Sequence, residues 1–379
     1  MSFEKEIGQL NEHFFFREFT FSKTTFRPSP VEEIELADNL VWLDDLAIVF
    51  QLKERRAPDA TTVHDEERWF RRKVVTRGTR QIRDTLAYLN DHKQIELENH
   101  RGHRFHLDSS TITTIHKVIC YLPHENLPGE CRMQKFHRSR TAGVVHLIAA
   151  NDYLGVVRTL LTPPELSEYL SFREELINKW GTAVNSLPEP ALVGQYIMGD
   201  ADSAPGMVFL EHFKSLEHRI DEWDISGIIK QFPDRVTTDN KPTDYYSIVT
   251  QLAKLKRNEL REFKTRYQLS MEKCRANKFA QPYRMATPRT NCGFVFVPLE
   301  KELVEHRQQG LQNLTYACKY DLKLQKCLGV SFAPEDGGWF SVEWCYMEFP
   351  WELDEEMDER LRHHSPFREV QTTDLRRYT

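Results

Sequence analysis

The chain has 379 residues, of which 40% are hydrophobic and 28% charged, with a formal net charge of −6. At about 150 residues per domain this length suggests two or three domains, and the composition excludes a disordered or fibrous chain. The acidic balance excludes a globally basic protein that coats DNA, while a local basic stripe stays open.

Residues 3–18 place Phe3, Ile7, Leu10 and Phe14 at helical spacing, so a first helix is expected there, ending near Phe14. The Thr- and Phe-rich stretch 19–26 reads as a strand, and Pro28 and Pro30 break the chain. Two apolar runs, 39–43 and 46–53, flank Asp44 and Asp45 and read as an antiparallel hairpin with those two as turn residues. Residues 57–60 form a loop. A helix over 65–91 follows, with Thr62 as its cap and Asp65, Glu66 and Glu67 at its positive end. Its buried stripe is Phe70, Val74, Gly78, Ile82, Thr85 and Leu89. Residues 113–122 and 143–150 read as two further buried strands, which completes an α/β domain over 1–150.

From 151 to 280 the pattern is mainly helical, ending in a long amphipathic helix at 251–279 that is basic at Lys254, Lys256, Arg257, Arg261 and Lys264. Strands at 292–299, 324–333 and 339–349 and a helix at 300–319 make a small α+β unit over 281–351, and 352–379 is a polar tail. The aromatic run from Trp339 to Trp351 has strand period and reads as core, with base stacking as the alternative.

The chemistry concentrates on the first hairpin. A two-residue turn at 44–45 sets residue 38 across from residue 51, and residues 51 and 53 share one strand face. Asp38, Gln51 and Lys53 therefore converge at the open end of the hairpin. A carboxylate and an amide oxygen are hard ligands for Mg²⁺ or Mn²⁺, and an adjacent lysine can orient water or stabilise charge on phosphorus.

Acid, hairpin, then Gln-x-Lys resembles the PD-(D/E)xK nuclease superfamily, in the variant similar to Mrr-like restriction endonucleases, over roughly residues 1–150. The resemblance implies a restriction-endonuclease-like αβββαβ core and metal-dependent hydrolysis of a phosphodiester, with DNA as the expected substrate. It makes prokaryotic defence against foreign DNA an expectation. Carried over, Asp38 is the main metal ligand, Gln51 the second and Lys53 the catalytic lysine. Glu35 is the added glutamate, and Glu12 and Glu6 are the helix candidates for that role. No Pro precedes Asp38, and Gln51 removes a charge from the metal site.

Residues 53–83 hold ten Lys/Arg against five Asp/Glu. Lys73, Arg77 and Arg80 are expected to share one helix face and to contact phosphates. Gln81 is a further lining candidate. Among the dense histidines, HRGHRFH (100–106) lacks zinc spacing, and His116 is the one expected to face the centre. Seven dispersed cysteines without a CxxC pair read as reduced thiols. No run of 18 apolar residues spans a membrane, and the charged N-terminus argues against export, so a cytoplasmic location is expected. The C-terminal part is open to self-association or a partner protein. Two rival readings are an inactive nuclease-fold module that binds nucleic acid or protein, and an RNA-cleaving toxin.

Overall fold

The structure is a computed structural model that describes residues 2–22, 25–29, 32–55, 62–214, 220–236 and 241–368. The expected loop at 57–60 and the end of the polar tail lie outside these residues. The chain divides into two compact units, residues 1–218 and 219–377. Each is a mixed sheet with helices, so the fold is of the α/β class.

The first unit opens with helix α1 (Phe3–Phe15), whose N-terminus is capped by Ser2 Oγ accepting from the Lys5 amide. Then come β1 (Thr20–Ser22), the pair β2 (Thr25–Ser29) and β3 (Glu32–Glu35), and the hairpin β4 (Asn39–Leu43) and β5 (Leu46–Lys53). Asp44 takes the left-handed conformation in the turn (φ 51°), which aspartate tolerates. Helices α2 (Val63–Trp69) and α3 (Gly78–Asp91) are joined by a π-helical stretch, Phe70–Arg77, into one continuous helical rod. The hairpin β6 (Gln94–Glu98) and β7 (Arg104–Asp108), strand β8 (Thr114–Tyr121), the short α4 (Gly129–Met133), β9 (Phe136–Ser139) and β10 (Gly143–Ala149) follow. Helices α5 (Ala150–Thr159), α6 (Pro163–Trp180), α7 (Glu189–Met198) and α8 (Leu210–Lys214) complete the unit.

Six strands form the main sheet in the order β1-β4-β5-β8-β10-β9. The neighbours β5/β8 and β8/β10 are parallel and the others antiparallel. Strand β5 is buried on both faces, which explains its nearly unbroken apolar run. Leu46, Ile48, Phe50 and Leu52 pack in one core with Phe3, Ile7 and Phe15 of α1 and with α5–α7. Ala47 and Val49 pack in the opposite core with Phe70, Val74, Ile82 and Leu89. Gln51 and Lys53 continue the second parity and lie on the α2–α3 side.

The expected boundary at residue 150 falls inside this unit. Tyr153, Leu166, Tyr169, Leu176 and Leu192 belong to the same core as α1 and β5. A buried ion network crosses the same line, with Glu189 within 3.2 Å of Lys135 Nζ and 2.9 Å of Arg173 Nε. The apolar faces of the helices after 150 are thus the cover of the sheet and not the core of a separate segment.

The second unit has short helices α9 (Ser226–Ile229) and α10 (Phe232–Arg235), then α11 (Tyr246–Ala253) and α12 (Arg257–Arg275) where one long helix was expected; Lys256 is extended and ends the continuity. Strands β11 (Tyr283–Thr287), β12 (Cys292–Pro298), β13 (Lys326–Pro334) and β14 (Phe340–Glu348) pair in that order, with β12 and β13 parallel. Phe263 of α12 meets Phe294 and Phe296 with ring centroids 5.7 and 5.2 Å apart. Helix α13 (Arg307–Asp321) sits so close to β13 that a Cβ on Gly329 would lie 2.0 Å from Thr315 Oγ1. Helix α14 (Glu355–His364) occupies part of the expected tail. All seven cysteines are unpaired, and among the described residues no helix is long and apolar enough to cross a membrane.

Candidate active site

The hairpin has the expected register: Asn39 pairs with Phe50 and Leu43 with Leu46 across the Asp44–Asp45 turn. One step beyond Asn39, the Asp38 side chain folds back onto the end of β5. Its Oδ2 accepts from the Leu52 amide at 2.6 Å and from Lys53 Nζ at 3.1 Å. Lys53 Nζ also donates to Gln51 Oε1 at 3.2 Å and to the Leu52 carbonyl at 2.9 Å. Asp38, Gln51 and Lys53 thus form one connected cluster, in which Gln51 is buried and the other two are largely so.

This cluster is braced from behind. Asn39 Oδ1 accepts from Asn11 Nδ2 at 2.6 Å, Asn39 Nδ2 donates to Ser22 Oγ at 2.7 Å, and Tyr153 donates to Asn11 Oδ1 at 2.5 Å. The chain tying α1, β1, α5 and β4 together fixes the residue next to Asp38. On the other side Thr85 of α3 donates to the Leu36 carbonyl, holding the segment that carries Glu35 and Asp38.

A cleft of about 1350 Å³ runs between α1 and the β6–β7 hairpin and reaches Glu35 and Asp38. Its carboxylates are Glu4, Glu12, Glu35, Asp38, Glu96 and Glu98, against Lys5 and Arg104. Arg104 pairs with Glu96 and Glu98, and His100 Nδ1 lies 2.8 Å from Glu12. Partial desolvation, then the charges of Asp38 and Glu4, push the Glu35 carboxyl above its ordinary value, with Lys53 opposing. Glu4 and Glu35 have no ion-pair partner among the described residues, and Asp38 Oδ1 accepts no hydrogen bond there. Glu35 and Asp38 have oxygens to spare of the kind a hard divalent cation takes, while the Gln51 amide oxygen already accepts from Lys53 Nζ. The set is lean: among the described residues no three His, Cys, Asp or Glu side chains gather as a metal-binding group.

The remaining expected residues separate. Glu12 lines the cleft but is engaged by His100 and, at 3.6 Å, by Arg17. Glu6 is exposed and not in the cleft; one turn of α1 presents Glu4 instead. His116 points the other way. It pairs across the parallel ladder with Ile48 and follows its parity to the α6 side, where its Nε2 lies 2.9 Å from Ser167 Oγ. Burial there holds its pKa at about 4. Gln81 lies on α3, over the Gln51 face, and its Oε1 is buried without a hydrogen-bond partner. Lys73, Arg77 and Arg80 are all exposed. Lys73 and Arg77 sit in the π-helical stretch, whose wider turn departs from the spacing of an α-helix face. Arg80 faces Asp84 at 3.9 Å, whereas Lys73 and Arg77 have no ion-pair partner among the described residues.

The cleft wall was missed in the sequence. Gln94, Glu96 and Glu98 alternate with buried Ile95 and Leu97, a period-two signal hidden by its charges. The return strand begins after Asn99, whose Oδ1 accepts from the Arg101 and His103 amides around Gly102 (φ 77°). In comparisons with protein-family models, curated proteins and solved structures, nothing matches this chain.

Proposed function

We propose that the protein is a metal-dependent nuclease of the PD-(D/E)xK type, with DNA as its substrate. The observation that carries this reading is the joining of Asp38, Gln51 and Lys53 through Lys53 Nζ, 3.1 Å from the carboxylate and 3.2 Å from the amide oxygen. Asp38 and Gln51 would hold the cation, Glu35 would add charge, and Lys53 would face the oxygens that gain charge as phosphorus is attacked. The cation, when bound, polarises phosphate and acidifies water. The cleft's six carboxylates repel a phosphate backbone, so on this reading a phosphodiester enters it only with cations that offset them. Lys73 and Arg77 are free to contact flanking phosphates. Action against invading DNA is proposed on the resemblance alone.

A second reading, a catalytically inactive nuclease-fold module, is favoured by the lean donor set, in which the ammonium of Lys53 already neutralises Asp38. One assay separates the two. The purified protein is given plasmid, single-stranded DNA and RNA with Mg²⁺, Mn²⁺ or EDTA. Cleavage of DNA that needs the metal and disappears in Asp38→Asn supports the nuclease. RNA cleavage alone moves the substrate, and intact nucleic acid in every lane supports the inactive module.

A further inference from the structure

The second unit holds a cavity of about 310 Å³ that the proposed nuclease chemistry does not use. Tyr316 and Tyr320 reach it from successive turns of α13, and Phe349 and Trp351 from the segment after β14. The rings form two pairs of nearly matched tilt. Tyr316 and Phe349 have centroids 6.0 Å apart at 31°, and Tyr320 and Trp351 5.6 Å apart at 31°. Their polar ends are fixed. Tyr316 donates to Asp354 Oδ2 at 3.0 Å, Tyr320 to the Asp354 carbonyl at 2.9 Å, and Trp351 Nε1 to the Tyr320 carbonyl at 3.0 Å. Three of the four rings are thus anchored at their polar ends, and Phe349 is 40% exposed.

Lys319 lines the same cavity and is 1% exposed. Its Nζ sits 3.6 Å from the Phe349 ring centroid, and no carboxylate, carbonyl or hydroxyl accepts from it among the described residues. The ammonium has three donors, and a ring face answers them only in part. Burial also lowers its pKa. A ligand that brings an acceptor to Lys319 relieves the deficit. Glu352 lines the same cavity, and its carboxylate disfavours an anionic ligand and offers an acceptor to an N–H.

We propose that this cavity binds a nucleobase bearing a lactam edge (guanine, thymine, uracil), its ring against the aromatic wall and its carbonyl oxygen accepting from Lys319. The cavity size is at the low end for small-molecule sites, which suits a single flat ring system. A neutral ring with adjacent carbonyl and N–H answers both Lys319 and Glu352. Adenine offers a ring nitrogen and an amino group in their place, and the ring nitrogen is a weaker acceptor for an ammonium than a lactam oxygen. A free nucleoside and a base swung out of a strand offer the same edge.

The test is calorimetric titration of the full chain, in EDTA, with guanosine, uridine and adenosine, and then with single-stranded oligo-dT and oligo-dA. Guanosine or uridine is expected to bind about threefold more tightly than adenosine, because the lactam oxygen is the stronger acceptor for Lys319. Lys319→Met should erase that preference, Trp351→Ala should abolish binding, and Trp351→Phe should retain part of it; thermal melts confirm that each variant is folded. Binding of nucleosides assigns a free-ligand site. Binding of oligo-dT but no nucleoside, lost in folded Trp351→Ala, assigns a base held in a strand. Absence of binding by every ligand at millimolar concentration, or a preference unchanged in folded Lys319→Met, overturns the proposal. Failure of nuclease activity leaves this test untouched, because the residues and the readout are separate.

Discussion

Lys53 and Asp38 are joined by an ion pair, Nζ to Oδ2 3.1 Å, across the open end of a hairpin, and the same Oδ2 accepts from the Leu52 amide. Asp38 therefore has two jobs, one electrostatic and one in closing the ladder. Asp38→Asn keeps an oxygen for the amide and removes the charge. Lys53→Met keeps the stem and removes the ammonium. Each should lower cleavage by about 10²–10³, since one electrostatic stabiliser is lost in either case; breaking a largely buried pair also lowers the melting temperature, so cleavage is compared at a temperature where thermal melts show each variant folded. Parent-level cleavage in both variants would remove the assignment.

The raised pKa of Glu35 gives a sign for pH dependence. Its folded state holds the proton more tightly than the unfolded state, so stability contributed by this group falls as pH rises from the ordinary value of 4.5 through the folded one. Glu35→Gln should flatten that decline in metal-free buffer and raise the melting temperature at neutral pH. It should also reduce the stabilisation that Mg²⁺ confers. Melting curves over a pH series, with Mg²⁺ and with EDTA, read both effects. An unchanged Mg²⁺ response would take Glu35 out of the metal site.

The fate of His116 shows how far the sequence could be read. The hairpin register was legible because a two-residue turn fixes which residues face each other, and Asp38 and Gln51 followed from it. His116 lies three strands along the main sheet from β1, and its side depends on the parallel register between β5 and β8, which no local pattern encodes. The β6–β7 hairpin stayed hidden because its outward residues are charged and its inward ones few. The unit boundary was misjudged because α5–α7 read as amphipathic helices wherever their apolar faces are buried. The sequence marks such a face but not the sheet it covers.

Lys73 and Arg77 carry exposed charges with no ion-pair partner among the described residues, while Arg80 is close to Asp84. Replacing Lys73 and Arg77 by Gln should weaken binding to duplex DNA and flatten its log–log salt dependence by up to about 0.9 per lost phosphate contact. Arg80→Gln should do less. Equal slopes for the parent and the double variant, from fluorescence anisotropy at several salt concentrations, would mark this face as merely solvated.

Glu189 is fully buried among Lys135, Arg173 and Tyr169, the last donating to it at 2.5 Å. Burial opposes its charge, but the two cations hold its pKa down at about 2. Its contribution to stability is present above the ordinary carboxylate range and is lost as pH falls towards 2. Glu189→Ala leaves Arg173 without its carboxylate and Lys135 with only Asp152 at 3.9 Å, and should cost about 3–5 kcal/mol at neutral pH. Denaturant unfolding measures this. A chain ended at residue 150 loses Arg173 and Glu189 together with the α5–α7 cover and is expected not to fold, whereas residues 1–218 should.

Gln51 is the residue on which the metal-site reading turns. It is buried at 3% exposure, and its Oε1 accepts from Lys53 Nζ at 3.2 Å. As an amide it offers a cation an oxygen without charge. Gln51→Glu supplies a carboxylate at the same reach, beside an ammonium already in place to pair with it. Cleavage should persist in Gln51→Glu with a lower Mg²⁺ requirement, and Gln51→Ala should be inactive at any ordinary concentration. If Gln51 serves only to hydrogen-bond Lys53, the new carboxylate competes with Asp38 for one ammonium in a poorly hydrated place. The variant then loses several kcal/mol of stability. Metal titrations of cleavage beside thermal melts of the three proteins distinguish these cases. A destabilised, inactive Gln51→Glu next to a stable, active Gln51→Ala would leave Gln51 a structural partner of Lys53 and no ligand.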